Sequence, residues 1–209
     1  MPVAELLRLG TARTIVRWGT PVLHRPARPV TDYGDDLQEL LADMFATNRA
    51  AEGAGLAAAQ IGVDLAVFIY DCSDETGRRR TGVVCNPECD LPEVGERRLV
   101  SYDEGCLSLP GAFVELARPD VATCRGYDQY GEPVTLTGGG TFGRCLQHET
   151  DHINGTVFGD RLSARSRKQL YRRFDAVAAE YPAAWPVTSD SPLSVEMPSV
   201  ADAGSGRGI

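Results

Sequence analysis

Lysine is almost missing from this 209-residue chain. Lys168 is the only one, and 21 lysines and arginines together face 29 aspartates and glutamates, a net charge of −8. A chain this acidic repels phosphate backbones, so direct nucleic-acid binding is not expected. The bias toward arginine reads as a compositional habit without functional meaning. No apolar run reaches the ~18 residues that a membrane-spanning helix needs, so no membrane span is expected. The opening residues include Glu5 and lack a long apolar core, so no secretory signal is apparent. Six cysteines (Cys72, Cys85, Cys89, Cys106, Cys124 and Cys145) are too sparse for a disulfide scaffold. Together with the absent signal they point to a reducing, cytoplasmic setting. Cys85 and Cys89 have the spacing of half a structural zinc site, but no second pair follows, and free thiols are the simpler account.

Histidine is scarce too, with three in all, and two of them fall in Gln147-His148-Glu149-Thr150-Asp151-His152. On a helix, residues four apart stack on one face, so both imidazoles can reach a single ion. Glu149, one residue on from the first histidine, then stands beside any water the ion holds, which is the physics of the H-E-x-x-H pattern. An ordinary charged turn is the plainer reading, and the scarcity of histidine argues against it. His24 stands alone and reads as a surface or packing residue.

A catalytic site of this type takes three protein ligands and keeps one position open. Where a downstream third histidine would stand the chain has Phe158, and no histidine follows. A later glutamate is the other peptidase solution, for which Glu180 and Glu196 are available. Upstream, Asp103-Glu104-Gly105-Cys106-Leu107-Ser108-Leu109-Pro110-Gly111 offers Cys106, which would complete a Cys-His-His set; alone, it reads as a buried thiol. The small residues of Gly53-Ala54-Gly55-Leu56-Ala57-Ala58-Ala59-Gln60 permit close backbone approach. By themselves they read as a tight connection with Gln60 on the surface.

Around these stretches, Leu37, Leu40, Leu41, Met44 and Phe45 form a helical stripe starting at Asp35 or Asp36 and stopping near Glu52. Short strands are expected over 65–70, 82–87, 96–102, 113–116, 121–127 and 133–137, paired antiparallel. Gly138-Gly139-Gly140 leads into the histidine helix, and a last helix spans 163–181, ended by Pro182. The fold class is α+β, short antiparallel sheets packed around a central metal-binding helix. A single domain over 15–182 is expected, with an N-terminal extension over 1–14 and a disordered tail over 183–209.

Three stretches, Gly53–Gln60, Glu104–Ser108 and Gln147–His152, resemble in order and wording the three motifs of peptide deformylases: G-x-G-L-A-A-x-Q, E-G-C-L-S and Q-H-E-x-D-H. Gly19-Thr20-Pro21-Val22-Leu23, Asn86-Pro87, Arg118-Pro119, Gly126-Tyr127-Asp128 and Asp160-Arg161 extend the likeness. The resemblance covers about residues 15–162 and reverses the plainer readings of Gln60 and Cys106. It implies that Cys106, His148 and His152 bind one divalent metal, natively Fe²⁺, with Zn²⁺, Ni²⁺ or Co²⁺ also accepted. It implies Glu149 as proton carrier, the Gln60 side chain and the Leu107 backbone N–H as donors to the formyl oxygen, and Gly55 and Cys145 as substrate contacts. Glu104 would orient the metal loop. The implied activity is removal of the N-formyl group from N-formylmethionyl nascent peptides, by a monomer that encounters them at the ribosome. Gly143 departs from the family, which more often has alanine there. An H-E-x-x-H peptidase cutting internal bonds and a silent structural zinc protein are the competing readings.

Overall fold

The computed structural model describes residues 1–187. Helices α1 (Val3–Leu6) and α2 (Asp35–Ala50) precede strand β1 (Gly55–Ala57) and a 3-10 turn over Ala58–Ile61. Strands β2 (Val67–Ser73), β3 (Arg79–Asp90), β4 (Leu99–Glu104), β5 (Val114–Pro119), β6 (Val121–Tyr127) and β7 (Pro133–Gly139) follow, then α3 (Gly140–Ile153) and α4 (Ala164–Val177). Every pairing is antiparallel, in one five-stranded sheet of order β1-β2-β3-β6-β7 and a separate β4-β5 hairpin. Helix α3 packs across the larger sheet and against its edge strand β1. The architecture is the α+β arrangement around a central helix that the sequence implies.

The α2 stripe is where periodicity put it, with Leu41, Met44 and Phe45 all buried in one apolar cluster with Leu56, Val67 and Ile69. The helix ends at Ala50, two residues early, because Glu52 takes a left-handed conformation (φ 54°) that turns the chain toward β1. Strand β1 was not legible from its residues. Gly-Leu-Ala has little strand preference of its own, and the strand exists because Gly55, Leu56 and Ala57 pair with Tyr70, Ile69 and Phe68. Likewise β2 and β3 run further into the polar stretch at 71–80 than expected. The Arg79 guanidinium bonds the Asp71 carboxylate at 2.6 Å across the ladder, and Asp74 closes a turn by accepting from the N–H groups of Thr76 and Arg78.

Both ends of the described stretch are tied to the domain. Leu6 of the N-terminal stretch is fully buried against α2, and the Met1 amine donates to Gln38 Oε1 at 2.8 Å. Residues 183–187, which composition assigns to a tail, belong to the fold. The Trp185 carbonyl accepts from Ile15 N–H at 3.0 Å, and Arg17 lies 5.5 Å over the Trp185 ring. A single aromatic supplied the anchoring area that the surrounding proline and alanine lack. The rest of the expected tail, 188–209, lies outside the described residues. Among the described residues no helix is long and apolar enough to cross a membrane.

Candidate metal centre

Helix α3 is buried along nearly its whole length, from Phe142 to Ile153. That burial is what makes its polar side chains informative, because each must find a partner inside the protein. Its start requires close backbone approach: a Cβ on Gly143 would lie 2.3 Å from the Gly138 carbonyl oxygen, so glycine in place of alanine lets β7 turn directly into the helix. His148 and His152 follow one turn apart, with ring centroids 5.0 Å apart and planes at 73°. Cys106 comes from the loop after β4, in a turn closed by Leu109 N–H bonding to the Cys106 carbonyl at 2.8 Å.

The ligand atoms of Cys106, His148 and His152 all lie within 4.8 Å of one another, the one such cluster among the described residues. Cys106 Sγ is 3.3 Å from His152 Nε2. His148 Nδ1 is engaged by Glu104 Oε1 at 2.8 Å, which leaves His148 Nε2 buried without a protein partner. A buried imidazole nitrogen without a partner, facing a thiol and a second imidazole, is a site that a divalent cation completes. Burial pushes the Cys106 thiol up to about 12 in the protein alone, with the carboxylates of Glu149 and Glu104 adding to the shift. A bound cation is what would hold it as thiolate. His152 is held well below its ordinary value, first by burial and then by His148, so its ring is neutral and ready to ligate.

Glu104 organises the next shell. It is completely buried, accepts from Arg118 Nε and Nη2 at 2.8 and 2.7 Å, and accepts from Arg144 Nη1 at 2.7 Å as well as facing His148. Burial pushes its carboxyl up, but the Arg118 guanidinium and His148 outweigh that and hold it well below the usual carboxylate range. Arg118 reaches on to Asp151 at 3.0 Å, and Asp151 in turn is clasped by Arg161. A carboxylate that fixes a ligand histidine orients it and fixes its tautomer. Sequence reasoning placed Glu104 in this role and missed Arg144 and Asp151. Arg118 and Arg161 had registered only as fragments of a resemblance, because an ion-pair network between distant segments leaves no periodic trace.

Glu149 is completely buried, and neither carboxylate oxygen has a hydrogen-bond partner in the protein. Burial, with the thiol of Cys72 and the carboxylates of Glu104 and Asp151 adding, raises its pKa well above the ordinary carboxylate value. Gln60 is buried, not on the surface. Its Oε1 accepts from Ala57 N–H at 2.8 Å, which fixes the amide so that Nε2 faces Cys106 Sγ at 3.6 Å. Leu107 follows Cys106 and is buried in the apolar cluster under α2.

Gly55 lies in the edge strand. The Ala54 carbonyl faces β2, where it accepts from Asp71 N–H at 2.8 Å, so by strand alternation the backbone polar groups of Gly55 face away from β2, on the outer side of the sheet. Its missing side chain points the other way: a Cβ there would lie 2.6 Å from Cys145 Sγ and 2.8 Å from Glu149 Oε1. Gly55→Ala is therefore expected to lower the melting temperature through overpacking of about 1–3 kcal/mol. An unchanged melting curve would mean that Glu149 and Cys145 move aside freely. Cys145 itself is fully buried behind β1 and donates to the Ala54 carbonyl at 3.5 Å.

Of the alternative ligand positions, Glu196 lies outside the described residues and the others do not reach the site. Glu180 is exposed beyond α4, and Phe158 is buried with its ring 6.0 Å from that of His148. His24 is exposed, with Nε2 accepting from Gly19 N–H, and Cys85 is a buried free thiol on β3. A cleft of about 840 Å³ is lined by Gly53, Ala54 and Cys72 among others, and by none of the three ligand residues.

One thiol and two imidazoles beside a buried carboxylate, on an α+β scaffold, define a metal-dependent hydrolase with a single-ion centre. The chain belongs to the polypeptide deformylase family, whose model matches residues 12–168. It is 54% identical over 174 residues to peptide deformylase 1 of Streptomyces avermitilis, covering 83% of this chain and 80% of that one. It is 46% identical over 163 residues to the peptide deformylase of Mycolicibacterium paratuberculosis, covering 74% and 83%. The crystal structure of a peptide deformylase from Legionella pneumophila superposes with a TM-score of 0.71 at 37% identity, over 82% of this chain and all of that one.

Proposed function

We propose that this protein hydrolyses the N-formyl group from the methionine that begins newly made polypeptides, releasing formate and a free amine. The observation that carries the reading is the convergence of Cys106, His148 and His152 within 4.8 Å, with the unpartnered Glu149 carboxylate on the same turn of α3. Those three residues would hold one divalent ion. When bound, the ion supplies Lewis acidity, which makes a water nucleophilic near neutral pH.

The chain's own groups account for the remaining steps. Glu149 takes the water's proton on a carboxylate oxygen and later delivers it to the leaving amine. As negative charge grows on the formyl oxygen, Gln60 Nε2 and the Leu107 N–H donate to it. Gln60 is already oriented by its bond to Ala57 N–H, so no reorganisation is needed at that moment. The peptide adds as a strand to the open edge of β1, bonding the backbone of Gly55, while Cys145 backs the wall met by the methionyl side chain.

Fe²⁺ is the proposed native ion. A thiolate with two imidazoles also suits Zn²⁺, Ni²⁺ and Co²⁺. The protein acts as a cytoplasmic monomer on chains emerging from the ribosome. Formate release from formyl-Met-Ala-Ser, measured anaerobically with iron or nickel supplied, tests the reading; no formate from a metal-loaded sample would overturn it. Gln60→Ala should lower kcat by about 10²–10³-fold with metal content unchanged, the usual cost of removing one such donor. An unaltered kcat would take Gln60 out of this role.

A further inference from the structure

The cleft of about 840 Å³, within the ~300–1,000 Å³ range of ligand sites, has no occupant in the reaction above. Gly53 and Ala54, the two residues that lead into β1, line it together with Arg49 at the end of α2. Leu7 lines it too, although that residue precedes the stretch 12–168 matched by the family. Leu7 is held in place there. Its side chain packs against the apolar cluster under α2, and its carbonyl accepts from Arg49 Nη1 at 2.5 Å. Gly53 is fixed from the same helix. Asn48 Nδ2 donates to the Gly53 carbonyl at 3.0 Å, and the Gly53 N–H bonds the Asn48 carbonyl at 2.9 Å.

We propose that this cleft receives the second and third residues of the formylated peptide, with Leu7 and Arg49 as specificity-determining contacts. The assignment rests on the deformylase reading and on the direction of β1. Gln60 Nε2, 3.6 Å from Cys106 Sγ, marks the place of the formyl oxygen, and Gln60 Oε1 is bonded to Ala57 N–H. The reacting end of the peptide therefore lies at the Ala57 end of the strand. A peptide laid along the outer side of β1 from there lengthens toward Gly55 and then Gly53. The span from Ala57 to Gly53 is at most about 13 Å, which three or four extended residues cover. With the methionyl residue beside Gly55, the next two meet Ala54, Gly53 and the cleft.

The lining also says what is recognised. Arg49 and Glu52 are opposite in charge, and Arg79 bonds Asp71 at 2.6 Å, so the charged groups around the cleft balance. A balanced lining makes no demand for a charged side chain and suits the main chain of an extended peptide. Arg49 is exposed and spends Nη1 on the Leu7 carbonyl. A guanidinium carries five N–H donors, so others are left to donate to a peptide carbonyl. Leu7 adds an apolar surface beside them. The segment before the family match thus acts as one wall of the peptide site.

The test compares formyl-Met amide with formyl-Met-Ala-Ser on nickel-loaded wild type, Arg49→Ala and Leu7→Ala, and titrates the product Met-Ala-Ser into each by calorimetry. The wild type should favour the longer peptide in kcat/KM. Each substitution should cut that preference several-fold, through the KM of the longer peptide, and weaken Met-Ala-Ser binding to match. Arg49 is exposed, so its variant carries the test even where Leu7→Ala fails to fold. No preference in the wild type, or one unaltered in Arg49→Ala, would overturn the proposal. An equal fall on both substrates would do the same, since it marks a general disturbance of α2 and β1. Arg49-dependent binding of Met-Ala-Ser to protein that releases no formate would support the peptide cleft and sink the deformylase reading. Neither binding nor formate would overturn both.

Discussion

Glu149→Ala protein should retain its metal and its melting temperature while losing turnover by about 10³–10⁴-fold, the upper range for removing a positioned proton carrier. The separation of the two effects follows from geometry. Glu149 is not one of the three converging ligands, and its oxygens bond no other residue, so no hydrogen-bond network collapses when it is removed. Metal content by atomic emission, melting by circular dichroism and kcat on formyl-Met-Ala-Ser together check the prediction. Turnover near the wild-type rate would remove Glu149 from proton transfer, and loss of metal would reassign it as a ligand.

The second large effect belongs to Cys106. Cys106→Ala should bring the metal content from about one equivalent to near none after dialysis, with activity falling in step, because two ligands cannot hold the ion that three hold. The fold should survive. Cys106 is buried, but the loss of one sulfur beside Leu109 and Ala112 costs only about 1–2 kcal/mol of packing. Glu180→Ala, by contrast, should leave metal content unaltered, since that side chain is exposed in the turn after α4. A metal-replete Cys106→Ala protein would mean that another group closes the site.

The chemistry of the centre could be read from the sequence to an unusual extent, because its groups lie in three short stretches with fixed spacing. His148, Glu149 and His152 announce themselves by helical geometry alone. Cys106 and Gln60 do not: each reads as ordinary until the three stretches are seen together, since the chain distance between them carries no physical signal of contact. Gly55 shows the limit most plainly. The family resemblance implied a backbone held out to a substrate, whereas the coordinates add a second reason for glycine, the Glu149 and Cys145 side chains packed where a Cβ would lie. The Arg144 and Asp151 contributions were invisible for the same reason that β1 was. Both depend on partners tens of residues away, and neither residue pattern prefers its observed role in isolation. Helix α2, with a strong stripe, and β6, with branched and small residues between clear turns, needed no such help.

Glu104 has one more implication. Its grip on Arg118, Arg144 and His148 joins the metal loop to α3 through protein contacts alone. The loop that supplies Cys106 and the helix that supplies the histidines are thus clamped to each other by a buried carboxylate between two guanidinium groups, so a change at Glu104 would be felt by both at once.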